Sequence, residues 1–223
     1  MNDELNSYSL LSRLPLFQGM SGAELDYVIS RVRLGFSKVD AGELIVAEGS
    51  LADRLVFVVR GELDSEMFAD DRGYSIVESL PVPCMLQPER LFGLTQRYSR
   101  NFRATAMCNL LSIDKRDVIS LATSSEVFRL NILNILCTMT QKLQHVSWRI
   151  KPQGIRRKIF SFVGNRCVRP AGRKVVNIGM VRLGHEIGES RLNVSRELKA
   201  MNDEGLIVQK KNTFLIPALE KLA

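Results

Sequence analysis

The apolar positions change their period along the chain, and each change predicts a different element. Residues 1 to about 32 predict helix. Leu10, Leu11, Leu14, Leu16 and Phe17 make an apolar patch, and Ser21-Gly22-Ala23-Glu24 has capping-box spacing ahead of Leu25, Val28, Ile29 and Val32. From Arg33 the pattern shortens to strand-like runs, punctuated by Asp40-Ala41-Gly42, Glu48-Gly49-Ser50, Arg60-Gly61-Glu62 and Asp70-Asp71-Arg72-Gly73. Short strands with turn signals at this spacing predict an all-β roll or sandwich rather than a parallel sheet. From Ser124 to Ile150 the helical period returns, with Ser124 or Ser125 as cap. Phe128, Ile132, Ile135, Leu136, Met139, Leu143, Val146 and Ile150 recur at steps of three and four, a seam close to coiled-coil periodicity. Lys151-Pro152-Gln153-Gly154 breaks that helix and is the expected hinge. Ile155 to Cys167 is amphipathic through Ile159, Phe162 and Val163, with Arg156, Arg157 and Lys158 on its outer face. A turn at Arg169-Pro170-Ala171-Gly172 leads to a short strand, Lys174 to Ile178.

The stretch from Val181 to Val208 carries the most specific pattern. Leu183 and Ile187 fall on one face of a short helix, and Gly184 leaves room for a second helix to cross closely. Gly188 supplies the left-handed residue of a sharp turn, and Ser190 is a good N-cap. Val194, Leu198 and Met201 form the inward stripe of the second helix, which Gly205 ends. Two short helices joined by a glycine turn predict a helix-turn-helix, whose second helix enters the DNA major groove. Off the apolar stripe lie Arg191, Leu192, Asn193, Ser195, Arg196 and Lys199. Arg grips guanine, Asn pairs with adenine, and Ser and the cations also hold phosphate. Val208 to Ile216 predicts a hairpin with Lys210-Lys211-Asn212 at its tip, a wing able to touch phosphate.

Charge supports that reading. The chain has 223 residues, 45% hydrophobic and 25% charged, with net charge +7. Residues 151–223 hold 15 Lys and Arg against 6 Asp and Glu, whereas the preceding residues hold 16 against 18. A basic C-terminal third on a nearly neutral remainder is the footprint of a nucleic-acid-binding domain joined to one with another task. No run reaches the ~18 apolar residues of a membrane span. The start, Met-Asn-Asp-Glu-Leu, lacks the order of a signal peptide. A cytoplasmic protein without membrane contact is expected. Cys84, Cys108, Cys137 and Cys167 form no Cys-x-x-Cys pair and are expected as free thiols. With no catalytic triad, metal-ligand cluster or Walker loop, neither an enzyme nor a resident metal or cofactor is expected.

Ala41 to Leu63 is more specific than periodicity. Gly42, five residues, Glu48-Gly49, then an apolar run closing on Gly61 resembles the β-roll of cyclic-nucleotide-binding domains, with the glycines at strand corners. Together with the helix-turn-helix behind it, the chain resembles the bacterial cyclic AMP receptor protein and fumarate-nitrate reduction regulator (CRP/FNR) family over nearly its whole length. The resemblance implies an α+β chain: a jelly-roll-like β-roll sensor (residues 1–122), a dimerisation helix (123–150) and a winged helix-turn-helix (151–223). It implies a homodimer on palindromic double-stranded DNA, with RNA polymerase as a partner. Phe128, Ile132, Ile135, Leu136, Met139, Leu143 and Val146 would face the twin helix. In the reading helix Ser190, Arg191, Val194 and Arg196 match the family's Ser-Arg-Glu-x-Val-x-Arg pattern, but Leu192 replaces its Glu. That substitution implies loss of a cytosine contact, and so a half-site other than TGTGA.

The resemblance also frames the effector. Family members that bind cyclic nucleotides carry a Gly-Glu pair about ten residues before an Arg-Ser or Arg-Thr pair. Aligned through Phe102-Arg103-Ala104-Thr105, this chain has Gln87-Pro88 and Tyr98-Ser99 there. Neither the ribose-binding carboxylate nor the phosphate-binding guanidinium is in place; Glu89 and Arg100 could stand in if the loop shifts by a residue. The pocket expected from Glu89, Tyr98, Ser99 and Arg100 therefore serves an effector other than cyclic AMP. His145 is expected to be an exposed or interface helix residue rather than a haem ligand, and no thiol cluster for an iron–sulfur centre precedes Cys84. Two alternatives stay open: a cyclic-nucleotide-binding regulator acting on a protein partner, and a DNA-binding dimer with no sensing function.

Overall fold

A computed structural model describes residues 8–146 and 152–222. It divides into two compact units that do not follow chain order. The first holds the residues up to Leu63, Pro81–Ser99 and the stretch from Arg103 to the end of the long helix. The second holds Asp64–Leu80, Arg100–Phe102 and the C-terminal residues.

In the first unit, the capping box forms as the sequence predicts. The Ser21 hydroxyl accepts from Glu24 N, and Glu24 Oε2 accepts from Ser21 N at 2.8 Å, opening helix α1 (Gly22–Arg31). The Ser125 hydroxyl donates to the same carboxylate at 2.9 Å. Hydrogen bonds from Ser21, then Ser125, hold the Glu24 carboxyl below its usual range. Strand β1 (Leu34–Val39) pairs antiparallel with β8 (Cys108–Asp114), which pairs with β3 (Arg54–Arg60), and β3 with β6 (Cys84–Met85). Successive side chains alternate between the two faces of these strands, and on β3 both faces are largely covered, with Val56 and Val58 buried as well as Leu55 and Phe57. Leu55 and Phe57 on β3, with Leu111 and Ile113 on β8, are buried with Phe17, Leu25 and Val28.

Helix α2 (Lys115–Ser124), which the sequence pattern did not separate from the roll, adds Val118 and Leu121 to this core. Burying each such side chain contributes about 1.5–3 kcal/mol. Gly42, Gly49 and Gly61 are left-handed as corner residues should be. At Gly61 the requirement is also spatial, because a Cβ would lie 2.5 Å from the Met107 carbonyl.

Helix α3 (Glu126–Val146) begins with the Ser125 hydroxyl accepting from Phe128 N. Two of its expected twin-facing residues are corrected here. Phe128 and Ile132 are buried in their own unit's core, Phe128 with its ring 5.6 Å from that of Phe17. Asn131 fixes the same face by donating to the carbonyls of Leu16 and Gln18. The continuation to Ile150 and the boundary at 150/151 lie outside the described residues.

In the second unit, strand order is β10-β11-β9-β5-β4, with β4 (Leu63–Phe68), β5 (Ser75–Leu80), β9 (Lys174–Asn177), β10 (Val208–Lys210) and β11 (Thr213–Ile216). The β4–β5 hairpin was expected to belong wholly to the sensor at 1–122. Instead β5 pairs antiparallel with β9, from Ser75↔Asn177 to Glu78↔Lys174. Ile76 enters the core formed by helix α4 (Ile155–Gly164) and the C-terminal helices, and Tyr74 packs on Phe162 at 5.4 Å. Beside them Glu78 and Lys174 are both fully buried. Glu78 accepts from Arg100 Nη1 (2.9 Å), Val168 N (2.7 Å) and Arg169 N (3.3 Å), while Lys174 Nζ lies 3.4 Å away and donates to Ala171 O. No hydrophobic period can reveal such a partnership across about a hundred residues.

Candidate nucleic-acid interface and roll cavity

Helix α5 (Met180–Ile187) and helix α6 (Arg191–Asp203) meet at the expected glycine turn. Gly188 is left-handed at φ +67°, and a Cβ on Gly184 would come within 2.6 Å of the Glu189 carbonyl, so neither position tolerates a side chain without distortion. The Ser190 hydroxyl accepts from Asn193 N at 3.1 Å, capping α6. Val194, Leu198 and Met201 are buried against Leu183 and Phe214. The opposite face carries Arg191, Leu192, Asn193, Arg196 and Lys199, all exposed, with Ser195 half-buried. Lys210 and Lys211 are exposed at the hairpin tip, where Asn212 turns the chain with φ +56°. Gln209 N donates to Asn202 Oδ1, tying the hairpin to the end of α6. Every residue named from sequence for DNA contact thus lies on α6 or on the hairpin beside it, or, in the case of Ser190, caps that helix.

What the sequence reading missed is how the cations of α4 are used. Arg156 donates to Glu204 through both terminal nitrogens (2.8 and 2.7 Å) and to Glu197 through Nε (2.9 Å). Glu204 then Glu197 push the Arg156 guanidinium pKa upward. Lys158 Nζ donates to Glu189 at 2.6 Å. These two cations brace α6 and its turn instead of adding free positive charge. At the β4–β5 tip, Arg182 pairs with Asp71 (2.7 Å) and Glu186 (2.9 Å), and Arg166 donates to the Tyr74 hydroxyl and to Glu186. Both guanidiniums line a cavity of about 400 Å³ with Phe68 and Tyr74, and their charges are already matched.

In the first unit a second cavity, about 280 Å³, opens on the face of the sheet opposite the core, among Ile45, Val56, Leu110, Ser50, Ser112 and Tyr98. Tyr98 is buried, with its hydroxyl 3.5 Å from the Arg54 carbonyl. Burial pushes its phenol up to about 12. Two expected effector residues are already engaged. Gln87 Oε1 accepts from Ser99 N at 2.9 Å and Gln87 Nε2 donates to the Ser99 hydroxyl at 2.7 Å. Arg100 is committed to Glu78, so it is no free phosphate ligand, which corrects that expectation. Glu89 Oε1 accepts weakly from Gln87. Gln87 holds this arrangement with φ +41°, a strained value for a side chain with a Cβ. Two of the thiols are quiet, since burial pushes Cys84 and Cys167 each up to about 12. His145 is exposed, as expected.

Among the described residues no helix is long and apolar enough to cross a membrane, and no His, Cys, Asp and Glu group is arranged to hold a metal ion. No family model matches the chain. The potassium channel SKOR of Arabidopsis thaliana is 28% identical over 118 residues, 50% of this chain and 13% of the channel. The channel KOR1 of Oryza sativa subsp. japonica is 27% identical over 148 residues, 63% of this chain and 16% of that protein. The chain thus spans less than a fifth of the curated relatives it matches. Among solved structures, the sensor domain of the transcriptional regulator DNR from Pseudomonas aeruginosa covers 70% of this chain and all of its own at 15% identity and a TM-score of 0.55. A protein of Eubacterium rectale assigned to the CRP/FNR family of transcriptional regulators covers 94% of this chain and 96% of its own, at 17% identity and a TM-score of 0.55. The chain is thus similar in fold to the Eubacterium rectale protein over 94% of its length and to the DNR sensor domain over 70%.

Proposed function

We propose that the protein is a sequence-specific DNA-binding transcriptional regulator of the CRP/FNR type that acts as a homodimer on a palindromic site, in the cytoplasm and with RNA polymerase as a partner. The observation that carries the proposal is the outward face of α6. Arg191, Asn193, Arg196 and Lys199 are exposed on a helix whose other face is dry, beside a lysine-tipped hairpin. Two such helices ~34 Å apart would read adjacent major grooves on one side of DNA. Selection from random DNA tests this: a palindromic, guanine-containing consensus without TGTGA half-sites is expected. Recovery of TGTGA, or of no consensus, sinks it. Arg196→Ala is expected to cost about 1–3 kcal/mol and relax one base position. Lys210→Ala should weaken all sequences alike and flatten the salt dependence, as loss of a phosphate contact does.

The effector would occupy the 280 Å³ cavity beside Tyr98, with Ser50 and Ser112 as hydrogen-bonding groups. The Gln87–Ser99 bridge and the commitment of Arg100 to Glu78 support an effector that is not a cyclic nucleotide. Missing ribose and phosphate contacts should remove about 3–6 kcal/mol of binding. Calorimetry is therefore expected to find no cyclic AMP or cyclic GMP affinity tighter than roughly 100 μM, by the same reckoning; micromolar binding would overturn this. The same bridge also favours the second reading, a roll that senses nothing.

The homodimer seam needs a register different from the one the periodicity suggested. With Phe128 and Ile132 buried in their own core and Ile135 and Leu136 packed on it, the twin-facing positions become the exposed Leu133, Thr140 and Leu143, with Leu136 half-buried between them. Leu133 and Leu143 are 49% and 70% exposed, which is what a covered seam looks like in one isolated copy.

A further inference from the structure

We infer that Glu189, held by Lys158, is a positioning residue that orients the side-chain amide of Asn193 and thereby sets which base Asn193 selects. The inference rests on the DNA-reading role proposed above.

An asparagine amide has two ends of nearly equal shape and opposite chemistry: the oxygen accepts and the nitrogen donates. Adenine is recognised only when the oxygen faces N6 and the nitrogen faces N7. A free amide turns over and offers either order. A neighbour that accepts but cannot donate removes that freedom. Glu189 is such a neighbour: its Oε2 accepts from Asn193 Nδ2 at 3.5 Å, from the turn four residues earlier. The contact is long, so the orienting force is mainly that of a charge on a dipole, and the carboxylate must stay ionised to exert it.

Lys158 secures that condition. Its ammonium lies 2.6 Å from the other oxygen, and the two side chains are only 29% and 20% exposed. The Lys158 hydrogen bond, then that of Asn193, holds the Glu189 carboxyl below its ordinary range. Lys158 also offsets a negative charge that would otherwise face DNA phosphates. The backbone fixes where the carboxylate starts, since Glu189 N donates to Gly184 O at 2.8 Å across the turn. Ser190, capping Asn193 N, fixes where the amide starts. One Nδ2 hydrogen and Oδ1 remain for the base.

Arg156 provides a control, because it braces the same helix through Glu197 and Glu204, neither of which is among the outward residues proposed to read bases. The test is competition binding of the full chain to every single-base variant of its selected site. Wild type, Asn193→Ala, Glu189→Gln and Arg156→Met would be compared. Asn193→Ala marks the step that Asn193 reads, where wild type should discriminate about fivefold or more. Glu189→Gln keeps the shape but can donate as well as accept. It is expected to cut discrimination at that same step to about twofold while leaving other steps unchanged. Arg156→Met is expected to weaken all sequences in parallel. The inference is overturned if Glu189→Gln leaves the preference intact or weakens all sequences in parallel, or if Asn193→Ala flattens no step of a selective wild type. A wild type that selects no sequence would instead sink the DNA-reading role itself.

Discussion

Glu78→Ala is expected to cost the second unit about 3–5 kcal/mol, the loss that follows when one partner of a buried ion pair is removed. Glu78 is 1% exposed and gathers an arginine, a lysine and two backbone N–H groups onto two oxygens. Without it, the fully buried Lys174 ammonium keeps only the Ala171 carbonyl, and the amides of Val168 and Arg169 lose their acceptor. Stabilities of single domains are commonly about 5–15 kcal/mol, so the variant should sit near the folding threshold. Urea unfolding followed by circular dichroism would measure it. A midpoint shift equivalent to under about 1 kcal/mol would show that water or a neighbour replaces the carboxylate, which conflicts with the burial of the pair. The DNA affinity proposed for α6 should fall with stability even though Glu78 lies outside that helix.

Leu143→Asp is expected to separate the proposed homodimer while leaving each copy folded. Leu143 is 70% exposed and Leu133 is 49% exposed, so neither contributes much to the core of one copy. In the proposed seam, two aspartates would face each other without cationic partners, a cost of several kcal/mol. Half-sites would then be bound singly, and affinity for the palindrome should fall sharply. Phe128→Ala is the contrasting case: its ring is fully buried in the same copy, so it should destabilise the first unit by about 3–5 kcal/mol. Sedimentation with and without DNA separates the two effects. A wild type that is monomeric at micromolar concentration in both conditions, or a Leu143→Asp protein that stays dimeric, would disprove the seam.

Local features were legible in the sequence because their causes lie within a few residues. Ser21 and Glu24 cap α1 across a single turn, Gly188 must be left-handed where two helices join abruptly, and Val194, Leu198 and Met201 repeat at the helical period. Hence the two crossing helices, the turn between them and the outward cations of the second could be named from spacing, and the strand-corner glycines from the family resemblance. The partners of charged groups could not, because attraction between a lysine and a carboxylate leaves no period in the chain. Only the folded structure shows Lys158 on Glu189, Arg156 on Glu197 and Glu204, and Lys174 and Arg100 on Glu78. For the same reason a β4–β5 hairpin expected in the sensor gives its strand to β9, through hydrogen bonds any residue can make and through Ile76 filling a distant core. On α3 the sequence determined that an apolar seam exists. Tertiary packing decided which part of it is consumed internally, because Phe17 packs on Phe128 and the Leu16 carbonyl accepts from Asn131 within the same copy.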